Sequence, residues 1–166
     1  SRNYMIEADL DPSGAVVEGV LIAHGDATSG YSLYVKDNRL VHDLNIGGAH
    51  NILTSDREIP AGARHLGVEV TRWTTDGKPR KGPVPGFSRI TLRIDGAPAG
   101  SFDTVLGFHN LISWSGLDIG RDRGSPVSHY AAPFEFTGNL LRVRVTMDIE
   151  QHLDGDGVGE AEMARQ

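Results

Sequence analysis

The chain of 166 residues contains no cysteine. Without thiols it can form neither a disulfide bond nor a thiolate metal site, and it has no cysteine nucleophile. The absence fits a reducing compartment without requiring one, because disulfides are rare there. The length is nevertheless sufficient for one domain with a sizeable hydrophobic core.

A long apolar run and an excess of basic residues are also missing. No stretch approaches the roughly 20 apolar residues of a membrane-spanning helix, and no signal peptide is visible. Lys and Arg number 16 against 22 Asp and Glu, a net charge of −6, whereas nucleic acid requires a basic face. We therefore expect a soluble protein whose partners include neither a membrane nor a nucleic acid.

Short segments with alternating apolar and polar residues, separated by turns, make up most of the chain. In residues 87–94, for example, every second residue from Ile90 onward is apolar, which predicts a strand. Asp37-Asn38 lies between two such segments and suits the type I′ turn of a hairpin. Nine to twelve such strands predict an all-β fold of two packed antiparallel sheets over residues 1–149. Residues 150–166 are predicted to be an acidic, flexible tail, in which a short helix could form.

One segment near the C-terminal end resembles a known protein family. Residues 117–138 read LDIGRDRGSPVSHYAAPFEFTG. They are similar to a segment L-D-x-G-R-D-x-G-S-P-V-S, then Y, then P-F-x-F-T-G, that closes a β-domain in the carboxy-terminal part of bacterial arylsulfatases. Residues 18–23 and 30–37 are similar as well, so the resemblance extends over most of residues 3–149. It narrows the predicted fold to a jelly-roll sandwich of the concanavalin A-like or laminin G-like kind.

The resemblance implies an accessory domain without catalytic residues. Sulfatases use a modified Cys or Ser in a C/S-x-P-x-R motif, and here Ser125 precedes Pro126 directly. The expected partner is the α/β catalytic domain of the parent sulfatase, on which this piece would pack and whose substrate cleft it would border. No cofactor is implied for this chain, because a divalent metal such as calcium is expected only in the catalytic part. The implied location is the bacterial cytoplasm or periplasm.

A free-standing, lectin-like carbohydrate-binding sandwich is the alternative. Flat aromatic rings stack on sugar faces, and the candidate aromatic contacts are Tyr31, Tyr34 and Trp114. Tyr31 and Tyr34 have opposite strand parity, so we expect one of them to face solvent, an interface or a ligand. A glycan and further copies of the chain are therefore additional candidate partners.

The charged loop Arg121-Asp122-Arg123 allows two interpretations. In the structural one, Asp122 pairs with a neighbouring arginine and caps turn amides, while Arg121 holds the crossing chain. In the functional one, the guanidinium groups bind an anion such as a sulfate ester, because their planar forks match paired oxygens. The candidate ligand or interface loop comprises Arg121, Asp122, Arg123, Ser125, Ser128 and Tyr130.

No metal site is predicted. The seven histidines show neither H-x-H nor H-E-x-x-H spacing, so we expect strand-end and loop positions for them. Asp154-Gly155-Asp156-Gly157 begins like a calcium loop but lacks the later ligands of an EF-hand. A structural calcium of the kind that concanavalin-type sandwiches hold has no ligands that this sequence identifies.

Overall fold

A computed structural model of the chain describes residues 3–11, 17–72, 88–104 and 115–147. These residues form ten strands: β1 Tyr4–Asp11, β2 Gly19–Gly25, β3 Ser29–Lys36, β4 Arg39–Ile46, β5 Ala49–Thr54, β6 His65–Arg72, β7 Ser88–Ile94, β8 Ala97–Thr104, β9 Leu117–Ile119 and β10 Asn139–Met147. They confirm the predicted all-β, antiparallel two-sheet jelly-roll sandwich. The predicted tail, residues 150–166, lies outside the described residues.

Each sheet has five strands and is built around a meander. The first sheet has the order β10-β1-β6-β7-β8, and the second has the order β5-β4-β3-β2-β9. β1 and β10 pair with each other. β5 contacts β8 across the sandwich, and β10 contacts β2, the neighbour of β9. The edge strands β9 and β10 therefore lie on the same side of the sandwich.

The core lies between the sheets, where alternate side chains from both meet. Ile6, Leu66 and Leu92 of the first sheet and Leu33 and Leu40 of the second are fully buried there. Such interdigitated aliphatic side chains are the main stabilising contribution of a sandwich. The predicted hairpin turn is confirmed: Asp37 and Asn38 have φ values of 51° and 57°, as a type I′ turn requires.

The last strand departs from its predicted pattern. Alternation predicts that Leu141 shares an apolar row with Val143, but the register shifts between Asp9 and Leu10 of β1. Leu140 therefore pairs with Leu10, and Leu141 becomes a bulge with 62% of its surface exposed. Bulges of this kind redirect side chains at sheet edges.

Candidate functional site

The outer face of the second sheet, turned away from the first sheet, is covered by residues 120–136. This segment is called the covering loop below. A second apolar cluster fills the space between loop and sheet: Val20, Ala23, Tyr34, Val41, Val127, Tyr130 and Phe134. The ring of Tyr130 lies edge-on to Tyr34 at 5.0 Å and stacks on Phe134 at 5.2 Å. The burial of β2 on both sides follows from this cover.

Backbone hydrogen bonds join the covering loop to β2. The amide of Val20 donates to the carbonyl of Phe134 at 2.9 Å, and the amide of Gly120 donates to the carbonyl of Leu21 at 3.0 Å. Gly19, with φ of +113°, lies so close to the loop that an added Cβ would be 2.3 Å from the carbonyl oxygen of Glu135. Only glycine permits this approach.

Asp122 is buried and organises the interior of the loop. Its Oδ2 accepts hydrogen bonds from the amide of Val127 at 2.9 Å and from the hydroxyl of Tyr130 at 2.7 Å. Burial, followed by this bond to Asp122, raises the pKa of Tyr130. The prediction that Asp122 caps turn amides is confirmed. The prediction that it pairs with a neighbouring arginine is wrong, because its carboxylate points inward to Tyr130.

The two arginines of the loop each face a carboxylate of this chain. Arg123 donates from Nε to Oδ1 of Asp118 at 2.7 Å and from its backbone amide to Oδ2 at 2.8 Å. The side-chain hydrogen bond from Arg123 is the largest cause lowering the pKa of Asp118. Arg121 is half-exposed, with its Nη1 3.8 Å from a carboxylate oxygen of Glu135. The guanidinium of Arg123 is thus directed at β9.

Tyr31 and Tyr34, two of the predicted aromatic contacts, lie on opposite faces of the second sheet. Tyr34 is the tyrosine of the pair that faces away from the core, and the covering loop leaves only 3% of it exposed. Its ring is therefore covered by the chain itself, and its hydroxyl lies 3.2 Å from Oγ of buried Ser128. Tyr31 packs against the main core, edge-on to His24. Ser125 is exposed, and Trp114 lies outside the described residues.

Three residues that the sequence does not single out meet at the edge of the covering loop. Asp43 of β4 is fully buried, and its Oδ2 lies 2.6 Å from Nδ1 of His50 in β5. The side chain of His50 is 18% exposed, and its ring lies 4.1 Å from that of exposed His129 in the loop, tilted by 38°. Because Nδ1 faces the carboxylate, Nε2 is the nitrogen of His50 left for an external partner. His50 and His129 are called the histidine rim below.

Asn45 fixes the backbone around the histidine rim. Its Nδ2 donates to the carbonyls of Ala27 at 2.9 Å and Val127 at 3.1 Å. Its Oδ1 accepts from the amide of Gly48 at 2.9 Å, in the turn that precedes His50. One buried amide thereby ties the covering loop to two turns of the second sheet, so the rim is held in a defined position.

The signal for this site is weak in the sequence. Alternation along β4 places Asp43 beside Val41 and Asn45 on one face, and a carboxylate between a valine and an amide looks like a solvated residue. A buried carboxylate needs a partner, and that partner is a histidine from the next strand. Within the described ranges, no three His, Asp or Glu side chains are grouped as a metal site.

The comparisons with known proteins assign no family. No family model and no curated protein matches the sequence. Two solved structures align with the chain at a TM-score of 0.48. A native heptameric SAP-like pentraxin from Limulus polyphemus is 18% identical, with 87% of this chain and 63% of that chain covered. The mouse laminin alpha1 chain, domains LG4-5, is 16% identical, with 88% and 40% covered. This chain thus spans less than two thirds of either structure.

In the described part of the chain, no helix is long and apolar enough to cross a membrane.

Proposed function

We propose that this chain is a non-catalytic recognition module that binds carbohydrate at the histidine rim. The observation that carries the proposal is the pairing of His50 with buried Asp43 beneath the ring of His129. It combines a flat exposed ring with an oriented polar nitrogen at one position on the surface. Small-molecule sites typically combine such flat surfaces with a few fixed polar groups.

The chemistry of a sugar matches these two features. One face of a pyranose ring presents C–H groups, which pack on a flat ring such as the exposed imidazole of His129. Its hydroxyl groups both donate and accept hydrogen bonds, so Nε2 of His50 can pair with one of them. Because Asp43 and Asn45 already hold the rim in place, binding orders few side chains.

Binding is a better match than catalysis for the Asp43–His50 pair. An aspartate and a histidine in contact also occur in nucleophilic triads, where a hydroxyl lies against the second imidazole nitrogen. Ser128, next to His129 in the loop, is buried, and its Oγ lies 3.2 Å from the hydroxyl of Tyr34. The hydroxyl of Ser128 is therefore used within the second apolar cluster.

The test is a binding screen with the full chain on immobilised neutral and sulfated oligosaccharides, followed by calorimetry on the best ligand. We expect His129→Ala and His50→Ala to weaken binding at least tenfold. His65→Ala is the matched control, because His65 contacts Asp9 on the outer face of the first sheet and its replacement should leave affinity unchanged. Absence of binding by the wild-type chain, or full affinity in His129→Ala, would overturn the proposal.

A second candidate function is that of an accessory domain packed on the catalytic domain of an arylsulfatase-like sulfuric ester hydrolase. It is favoured by the resemblance of residues 117–138, because Asp122, Val127 and Tyr130 of that segment build the covering loop. If the arylsulfatase segment forms the same covering loop, this chain and the β-domain of arylsulfatases are the same type of domain. The test compares this chain with the natural product of the gene on a generic aryl sulfate. A longer, active natural product and an inert 166-residue chain support the candidate, and a natural product ending near these boundaries contradicts it.

A further inference from the structure

β10 is an edge strand that carries little of the usual protection of sheet edges beyond the bulge at Leu141. Its neighbour in the first sheet is β1, and its other edge has no strand partner among the described residues. At nine residues it is the longest of the ten strands. After the bulge at Leu141, its register with β1 runs without a further shift to Met147.

The opposite edge of the same sheet, β8, shows how this protein protects an edge. β8 contains Pro98 and Gly100, and Gly100 has a φ of 111°. Its register with β7 also shifts, between Thr91 and Arg93. Proline, bulges and charges are the devices that prevent an edge from pairing with another chain. β10 contains no Pro or Gly, its bulge lies near its start at Leu141, and its charged residues are Arg142 and Arg144.

The side chains of β10 divide into an apolar and a neutralised face. Val145 and Met147, opposite Ile6 and Tyr4 of β1, are 40% and 53% exposed. On the other face, Arg142 lies 2.6 Å from Asp9 and Arg144 lies 3.4 Å from Glu7.

β9 extends the apolar side of this edge. Its residues Leu117 and Ile119 are 48% and 53% exposed, on the same side of the sandwich as β10. Apolar side chains beside unpaired backbone are typical of an interface.

We propose that β10 pairs antiparallel with β10 of a second copy of this chain, about a two-fold axis at Val145. The two first sheets then join into one continuous ten-stranded sheet. In this register Val145 faces Val145 of the partner subunit, and Val143 faces Met147 of the partner subunit. On the other face, Arg144 lies opposite Thr146 of the partner subunit. The dimer goes beyond carbohydrate binding and does not depend on it.

A second copy is the proposed partner of β10 because β10 is complementary to itself in this register. A two-fold interface requires a surface that is complementary to itself, and β10 meets this condition when the axis passes through Val145. Apolar residues then face apolar residues, and neither arginine faces another arginine across the pair. The carboxylates of β1 already balance both arginines, so joining two copies brings together two neutral edges.

A cysteine scan tests the register directly, because the chain has no cysteine of its own. Directly opposite residues in antiparallel strands are about 4.5–5.5 Å apart at Cα, within disulfide range. Val145→Cys should therefore form a disulfide-linked dimer on mild oxidation. Met147→Cys, on the same face and more exposed, is the matched control. Its two copies would be displaced by four residues, roughly 13 Å along the strand, so it should remain unlinked. Equal cross-linking of both variants, or none in Val145→Cys, would overturn the proposal.

Light scattering of the cysteine-free chain provides the second measurement. We expect a dimer for wild type and a folded monomer for Val145→Lys, with the fold checked by circular dichroism. Ile52→Lys is the control, because Ile52 is similarly exposed, at 43%, but lies on β5 at the far side of the sandwich. That variant should remain dimeric. A monomeric wild type, or a dimer disrupted by Ile52→Lys rather than Val145→Lys, would contradict the proposed interface.

Discussion

The hydroxyl of Tyr130 donates a hydrogen bond to the buried carboxylate of Asp122 across 2.7 Å, closing the covering loop on itself. The same carboxylate oxygen accepts the amide of Val127. His129 lies between Ser128 and Tyr130, two buried residues of this loop, and is therefore held against His50. The internal structure of the loop is what brings the two rings of the histidine rim together.

The bond between Asp122 and Tyr130 predicts a large effect of Asp122→Ala. The change leaves two buried donors without an acceptor, and we expect a loss of about 2–4 kcal/mol in the free energy of unfolding. Urea denaturation measures it, and Tyr130→Phe in a double-mutant cycle isolates the coupling between the two side chains. Asp118→Ala, which removes the exposed pair with Arg123, should cost much less. Equal stability losses in the two aspartate variants would contradict the role given to Asp122.

The contact between Gly19 and the covering loop predicts that Gly19→Ala prevents normal packing of the loop. An added Cβ would meet the carbonyl oxygen of Glu135 at 2.3 Å, so backbone must move. Gly47→Ala is the matched control, since Gly47 also has positive φ, +62°, but open space around it. We expect a loss of about 1–2 kcal/mol for Gly47→Ala, which is the cost of left-handed backbone for a residue with a Cβ, and a clearly larger loss for Gly19→Ala. Thermal unfolding of both variants, with amide exchange in residues 120–136, measures the difference; indistinguishable results would show that the loop is not tightly packed there.

The buried imidazole of His42 predicts acid-sensitive stability. It lies in the core without a hydrogen-bond partner for either ring nitrogen among the described residues, and burial lowers its pKa to about 4 from 6.5. The unfolded chain then binds a proton that the folded chain does not, so stability falls as the pH drops from 6.5 toward 4. The difference corresponds to about 3 kcal/mol. His42→Leu should remove this part of the pH dependence, whereas His65→Gln, at a more than half-exposed ring, should retain it. Urea midpoints at pH 7 and pH 4.5 decide, and an unchanged pH profile in His42→Leu would refute the assignment.

The pairing of Asp43 with His50 predicts that binding and stability respond in different directions to Asp43→Asn. The carboxylate is fully buried, and its Oδ1 has no hydrogen-bond partner within the described part of the chain. Removing its charge while keeping its shape should leave the free energy of unfolding unchanged or higher. Carbohydrate affinity should nevertheless fall severalfold, because the amide no longer fixes the orientation of the His50 ring. Calorimetry and urea unfolding measure the two quantities. A variant that loses both together would indicate only a structural role for Asp43.

Much of the fold was predictable from local sequence. Alternation locates β7 within one residue, and Asp37-Asn38 identifies the hairpin of β3 and β4, because these features depend on strand pleat and turn conformation alone. The bulge at Leu141 was not predictable, because it depends on pairing with Leu10, far away in the chain. Phe134-Glu135-Phe136 alternates like a strand but forms none, since Phe134 has a φ of 42° within the covering loop.

The candidate site was less predictable than the fold, for a physical reason. Parity predicts that Tyr31 and Tyr34 face opposite sides of the sheet, but no local pattern indicates which of them faces the core or that residues 120–136 cover the other face. Asn45 contacts Val127 across 82 positions of sequence, and such contacts leave no periodic signal. The rim of His50 and His129 arises from the same long-range packing, which is why the two histidines look scattered in sequence.

The most direct measurement of the central claim is a titration of the full chain with the best oligosaccharide from the binding screen, followed by NMR of the histidine side chains. The imidazole resonances of His50 and His129 should shift in proportion to ligand bound, while those of His65, on the other sheet, stay in place. Shifts that leave both rim histidines unchanged, at concentrations where calorimetry detects binding, would contradict carbohydrate recognition at the histidine rim.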